Sequence, residues 1–452
     1  MGKKLVVIGG GAAGLFCAVN AARLNPSLAV IVVEKTGKLL SKVKVSGGGR
    51  CNVTHACYQI SGMVKKYPRG GNFIKKAFHR FFTIDTIAWF AERGVELKTE
   101  ADGRMFPVTD SSQTVIDCLL READKYGVEV WMHAEVREVE TAGAAGGVAD
   151  ARSGPELSAE GDGVADTERP GVVGARFRVQ LADSRVLEAD YVCIACGGYP
   201  KSSMSAWIER LGHTLEPPVP SLFTFNMPGN PVTHLMGVSV PETQVKIAGT
   251  GLSEKGPLLI THWGLSGPVI LRLSAWGARE LAGGNPPALQ PGYQFTVLVN
   301  WVPFYNEQTL RVRLLEFRQE LAAQRLFSRS PFGLPHRLWE HLLIACGIGA
   351  ELRWADLPAA AQNKLIRSLC ATEFAVKGKT TFKEEFVTAG GVRLAEVDPQ
   401  TMQSRKLAGL FFAGEILDVD GITGGFNFQH AWTSGWIAAS AIAAGPGAAA
   451  VD

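Results

Sequence analysis

The chain lacks an excess of either charge: 46 Lys and Arg stand against 43 Asp and Glu, intermixed, for a formal net charge of +3. That balance gives no bulk reason to bind nucleic acid or an anionic membrane, and it leaves a small molecule as the expected partner, with oligomeric state open. No His/Cys cluster has zinc spacing, so no metal is expected. Cysteine is sparse, and its eight copies (17, 51, 57, 118, 193, 196, 346 and 370) sit in apolar contexts, as reduced intracellular thiols do. Cys193-Ile-Ala-Cys196 matches CxxC, but it lies on an apparent strand, where positions three apart face opposite ways. The uncharged stretch Leu5 to Ala22 after Lys3-Lys4 resembles a signal or anchor segment only superficially. Its glycines fall at turn positions and it runs into a second strand, so a cytoplasmic protein is expected.

What is present begins with Leu5-Val-Val-Ile-Gly9-Gly-Gly11-Ala12-Ala13-Gly14, an apolar strand leading into a helix. Gly9 permits a tight turn, Gly11 lets the backbone approach a pyrophosphate, and Gly14 lets the helix pack close to the strand. The helix start then offers unpaired N–H groups to phosphates. A second strand, Ala29 to Val33, ends on Glu34, placed to accept both hydroxyls of an unphosphorylated adenosine ribose. These features favour a dinucleotide over a bare structural turn without separating NAD from FAD.

The separation comes from the other end of the chain. Leu410-Phe-Phe-Ala-Gly414-Glu415 ends another strand, followed by Asp418, Asp420, Gly421, Gly424, Gly425 and a helix entered through Phe426-Asn427-Phe428-Gln429. A late return of strand, Gly-Glu, glycine-rich turn and helix suits the longer FAD, with Glu415 at ribityl hydroxyls and the helix dipole at the flavin pyrimidine. The alternative is an ordinary βα unit that closes the sheet.

Between these ends, 452 residues with 46% hydrophobic content imply two or three domains. Helices are predicted over Thr83 to Arg93 and Ser111 to Tyr126, the second from a serine cap, with a short strand at Val95 to Lys98 and paired strands at Val128 to Val139 and Gly174 to Leu181. Thr141 to Val173, dominated by Gly, Ala and acids, is expected to be a surface excursion. Short strand-like segments follow Pro200: Gln244 to Ile247, Pro257 to Thr261 and Tyr293 to Val299. Leu310, Leu314, Phe317 and Leu321 then form a helical stripe, with further helices near Leu338 to Cys346 and Ala359 to Cys370. The expected plan is an α/β flavin domain over 1–198 and 390–452, a β domain over 199–302 and 371–389, and a helical insert over 303–370.

Ser46-Gly-Gly-Gly49-Arg50-Cys51-Asn52-Val-Thr54 resembles the BaiN/YhiN-like family of NAD(P)/FAD-dependent oxidoreductases. The match continues through Thr261 to Pro268, Val387-Thr-Ala-Gly-Gly391-Val, Glu396-Val-Asp398 with Thr401-Met402, and Gly414 to Gln429. The resemblance implies a glutathione-reductase-type FAD-binding domain interrupted by a β-barrel domain carrying a small helical insert. It implies FAD held by Gly9, Gly11, Gly14, Glu34, Lys35, Gly49, Arg50, Cys51, Asn52, Gly414, Glu415 and the Asn427-Phe428-Gln429 turn; Ala12, Ala13, Ser46, Val136, Cys196, Gly197 and Asp418 are expected to join them around a noncovalent FAD. Where the family has Ala-Thr-Gly-Gly-Ser-Tyr-Pro, this chain has Ala195-Cys196-Gly-Gly-Tyr199-Pro and lacks the hydroxyl and the glycine-rich continuation.

Arg50, after three glycines, is the candidate for charge stabilisation of a reduced flavin, and Cys51 is assigned to packing or flavin contact rather than redox exchange. Tyr199, His262 and His430 are the candidate proton donors. The expected reaction passes hydride from NADH or NADPH through FAD N5 to an activated C=C of a small apolar ketone, the steroid or bile-acid-like acceptor being implied by the family. No second GxGxxG marks a separate nicotinamide domain. The rival readings are a flavin amine or hydroxy-compound oxidase using O₂ and an RNA-binding or RNA-modifying flavoprotein.

Overall fold

Runs of Val, Ile, Leu and Phe too continuous to alternate polar and apolar faces suit strands covered on both sides, and they assemble here into a parallel sheet. Its order is Leu410–Phe412, Tyr191–Ile194, Lys4–Ile8, Ala29–Val33 and Glu129–Trp131. The computed structural model describes residues 2–141, 177–199, 205–283, 289, 291–380 and 387–445. The first strand sits centrally, and a strand from the far end of the chain completes the edge. Helix Ala12–Leu24 follows the first strand and packs against helix Phe426–Ala444. Gly435 allows this approach, since a Cβ there would lie 2.7 Å from the Ala13 carbonyl oxygen.

The predicted helices occur as Thr83–Ala91 and Ser112–Lys125, and the Ser111 side chain accepts from Gln113 N at 3.3 Å as a cap. The strand expected over Val128 to Val139 is split. Left-handed His133 (φ 55°) turns the chain, so Glu129–Trp131 joins the parallel sheet while Val136–Thr141 pairs antiparallel with Phe177–Leu181. Apart from Thr141, the expected surface excursion lies outside the described residues.

A seven-stranded antiparallel sheet forms the second body, in the order Thr372–Lys377, Gln294–Asn300, Ser239–Ile247, Ser253–Thr261, Gly264–Ser266, Thr224–Asn226 and Lys379–Thr380. Among the described residues its strands do not form a closed barrel. The two end strands are successive in the chain, so the sheet curls back toward itself without a continuous ladder. Helices Glu307–Glu320, His336–Ala345 and Ala359–Ala371 bury Leu310, Leu314, Phe317, Leu338, Trp339 and Leu365 in one core with Val245, Val297 and Val299 of that sheet. The helical segment therefore covers the sheet. Among the described residues no helix is long and apolar enough to cross a membrane, and no His, Cys, Asp and Glu group is arranged to hold a metal.

Candidate functional site

The two ends of the chain meet at a cleft of about 630 Å³. Its floor is the first glycine turn, and the structure gives each glycine a different reason. A Cβ on Gly14 would stand 2.0 Å from the Gly9 carbonyl oxygen, and one on Gly9 (φ 113°) would stand 2.5 Å from that of Ala195. Gly11 has an ordinary extended backbone, and nothing lies within 4 Å of its Cβ position. Protein packing alone does not require glycine there. Gly11 also offers no side-chain cap to helix Ala12–Leu24, so the helix start presents free N–H groups where Ala12 and Ala13 line the cleft.

Glu34 and Lys35 line the same end. Glu34 accepts from Gly10 N at 2.9 Å and from Thr36 N and Oγ1 at 2.8 Å, which fixes the carboxylate at the rim of the turn.

Ser46 ends the first part of helix Ser41–Gly49, and Gly47, Gly48 and Gly49 follow with φ of 58°, 70° and 87°. This left-handed run exposes backbone to the cleft at Gly47 and Gly48, and a Cβ on Gly48 would meet nothing within 4 Å. Asn52 joins this loop to the other end of the chain: in the orientation its neighbours require, its amide accepts from Gly425 N at 2.9 Å and donates to the Thr54 carbonyl at 3.0 Å.

At the C-terminal side, Gly414, Glu415, Asn427, Phe428 and His430 line the cleft. Asn427 is locked by two 2.8 Å bonds to the Gly421 peptide. Glu415 pairs with Lys42 and accepts from Thr388 N at 2.8 Å. Helix Phe426–Ala444 starts at Gly425, again without a side-chain cap. His430 is buried, and burial pushes its pKa down to about 4. Its Nε2 bonds the Gly414 carbonyl at 3.1 Å, while Nδ1 is buried without a partner.

Cys196 and Gly197 complete the lining from the Tyr191–Ile194 strand end, and burial pushes the Cys196 thiol up to about 11. The remaining wall was not singled out from sequence: Lys38, Ser41, Lys42 and Arg104 on one side, and Leu222, Phe223, Thr224, Leu271, Thr380 and Val387 from the second body. Only Val387 fell within a quoted motif. The others come from segments with no local signal, brought in by tertiary packing.

Several expected site residues stand outside the lining. Arg50 donates to Glu100 at 2.6 Å, lies 3.6 Å from Asp110 and stacks on Phe106 at 4.0 Å. Arg104, on the same Glu100 and ring, is the arginine that reaches the cleft. Gly49 and Cys51 lie just behind it, and burial pushes the Cys51 thiol up to about 12, so it stays protonated. Gly14 and Gln429 are packed beneath, the latter bonded to Thr54, Thr86 and Thr433. Val136 belongs to the antiparallel sheet, and Asp418 pairs with Arg279 at 2.7 Å. Tyr199 is half-buried beside Cys196, where burial raises its pKa well above the ordinary range. His262 is exposed on a turn of the second sheet.

The fold and the cleft define a Rossmann-class α/β protein with a glycine-lined cleft of the dinucleotide-binding kind. More narrowly, the chain belongs to the HI0933-like family, whose Rossmann-domain model matches residues 3–160 and 167–441, in agreement with the motif resemblance. Among curated proteins it is 28% identical to a 3-dehydro-bile acid Δ4,6-reductase of Clostridium scindens, over 98% of this chain and 100% of that one. It is 30% identical to a ribosomal RNA dihydrouridine synthase of Escherichia coli, over 96% of each. Among solved structures, a 3-ketosteroid-Δ4-(5α)-dehydrogenase of Rhodococcus jostii aligns over 97% of each chain with a TM-score of 0.46 and 13% identity.

Proposed function

We propose that the protein is an FAD-dependent reductase that transfers hydride from NADH or NADPH to a carbon–carbon double bond conjugated with a carbonyl. One observation carries the reading: two helix starts without side-chain caps, one from each end of the chain, open on a single glycine-lined cleft. The residues fit FAD. Gly11 to Ala13 would receive the pyrophosphate, Glu34 the adenosine ribose, and Glu415 the ribityl hydroxyls, while Ser46 to Gly48, Asn52, Asn427 and Phe428 would frame the ring. His430 Nδ1, which lacks a donor, suits a further hydroxyl.

When bound, FAD supplies two-electron chemistry at its N5 position. The chain contributes orientation, a dry wall and charge. Leu222, Phe223, Leu271 and Val387 form an apolar surface for a flat acceptor and exclude water from it. Thr224 is held by Trp263 Nε1 at 3.0 Å and Thr380 by Asn226 at 2.9 Å, so the polar part of this wall is fixed in advance. Arg104, itself paired with Glu100 at 2.9 Å and Asp102 at 2.7 Å, brings a guanidinium to the cleft lining shared with Gly47 and Gly48. Arg50 and His262, outside the lining, have no part in this scheme.

The names of the relatives support the acceptor class. A 3-oxo-Δ4,6 bile acid and the uracil ring both present a C=C conjugated with C=O. A steroid or bile-acid-like ketone is the first acceptor proposed, and a uracil base is the second. The test is anaerobic titration of the purified protein with NADH and NADPH, followed by reoxidation with conjugated ketones, uridine and O₂. Bleaching by one nucleotide and recovery of the oxidised spectrum with an enone is the expected result. No reduction by either nucleotide, or rapid recovery only with O₂ and peroxide formation, would instead support the oxidase reading.

A further inference from the structure

The even charge balance of the chain conceals a strong segregation. Between Glu34 and Asp85 there is no Asp or Glu, whereas 11 Lys and Arg occur in these 50 residues; the rest of the chain holds 35 cations against 43 anions. Three of the 11 are neutralised in ion pairs, namely Lys42, Arg50 and Arg69. Lys35, Lys38, Lys44, Lys65, Lys66, Lys75, Lys76 and Arg80 make no ion pair with a described side chain, and all but Lys66 and Arg80 are exposed.

Packing sets this segment around the cleft. Lys35 and Lys38 line one end. On the other side, the Lys66 carbonyl accepts from Ile422 N at 2.9 Å, and a Cβ on Gly70 would lie 2.6 Å from Val419; both Ile422 and Val419 line the cleft. Helix Gly71–Phe78 buries Phe73, Ile74, Ala77 and Phe78, which turns Lys75 and Lys76 outward on its opposite face. Exposed cations without a carboxylate partner, on a segment that borders a cleft on two sides, attract a polyanion and hold it by counterion release.

We propose that segment 35–84 is a docking surface for a single strand of RNA, laid across the mouth of the cleft. A membrane surface fits less well. Adsorption to lipid takes apolar side chains inserted below the headgroups, and the large exposed apolar residues of the segment are only Tyr58 and Ile84. An exposed tyrosine among cations is instead a stacking platform for an unpaired base. Docking stands on this surface alone; only what happens to the docked base rests on the reductase reading and its uracil acceptor.

The test uses the full chain with FAD bound and a short fluorescent single-stranded RNA, followed by anisotropy from about 50 to about 200 mM salt. Wild type is expected to bind with a steep salt dependence. Replacing four exposed or half-exposed cations outside the cleft together, Lys65→Gln, Lys66→Gln, Lys75→Gln and Lys76→Gln, should weaken binding by about tenfold or more and flatten the log–log slope by about 0.7 per lost phosphate contact. The same variant should keep its flavin and its rate with a small enone. An equal charge change on the helical segment, Arg311→Gln, Arg318→Gln, Arg325→Gln and Arg329→Gln, should leave RNA binding unchanged. Absence of salt-dependent binding by wild type, equal losses in both variants, or preference for phosphatidylserine vesicles over RNA would overturn the proposal. Docked RNA without turnover of any conjugated C=C would instead strike the reductase reading and leave docking intact.

Discussion

The two glycine-rich helix entries are built on the same plan but held to it differently. At the C-terminal entry the protein itself demands glycine: Gly425 has φ 90°, and a Cβ there would lie 2.5 Å from the Thr54 carbonyl oxygen. At the N-terminal entry that demand falls on Gly9 and Gly14, while Gly11 between them is free of it. Gly11 differs from other unconstrained glycines in its place, at an uncapped helix start that opens on the cleft, where a bound group has room to approach the backbone.

The largest expected effect falls on a glycine that packing requires. Gly14→Ala forces a methyl group to 2.0 Å from the Gly9 carbonyl oxygen, backbone against backbone. Overpacking of this sort costs about 3 kcal/mol or more, and the variant is expected to lose soluble yield and thermal stability before flavin affinity can be compared. Unchanged melting would break the comparison at its structural end.

Next is the pH dependence set by His430 at the C-terminal entry. Burial lowers its pKa from 6.5 to about 4, so between these values the unfolded chain binds a proton that the folded chain refuses. Stability should therefore fall as pH drops from 6.5 to about 4, by roughly 3 kcal/mol for a shift of this size. His430→Gln should flatten that part of the profile. Thermal melts of both proteins across the window check it, and parallel profiles would contradict the assignment.

The smallest effect concerns the two arginines on Phe106. Arg104→Met should lower the flavin potential by about 30 mV, equivalent to about 1.4 kcal/mol for two electrons, because Arg104 lines the cleft. Arg50→Met should shift it less: both guanidiniums are paired with carboxylates, Arg104 with Glu100 and Asp102 and Arg50 with Glu100 and Asp110, but Arg50 stands outside the lining. Spectroelectrochemical titration ranks them, and the reverse order would return the charge role to Arg50.

Local spacing made the floor of the site legible. Gly9, Gly11, Glu34, Gly414, Glu415 and Asn427 carry their meaning in strand-to-helix turns a few residues long. The wall was not legible, because Leu222, Leu271 and Thr380 reach the cleft only through the folding of the second body and resemble core or strand residues in isolation. Arg50 misled for a related reason: its position after three glycines sets the backbone, whereas Glu100, fifty residues away, sets the side chain. The curled sheet shows the same limit, since its strand segments were recognisable but the pairing of both chain-successive end strands was not. The acid-free stretch from 35 to 84 was open to view and was masked by averaging charge over the whole chain.

Gly11→Val tests the central claim most directly, because Gly11 has backbone angles a β-branched residue accepts and open space where the side chain would go. FAD content by absorbance and the melting curve of the flavin-free protein should be measured together for variant and wild type. Wild type is expected to hold about one FAD per chain, and the variant to hold none while the flavin-free proteins melt alike. A Gly11→Val protein that retains full flavin, or a wild type that cannot be loaded with FAD, would contradict the account.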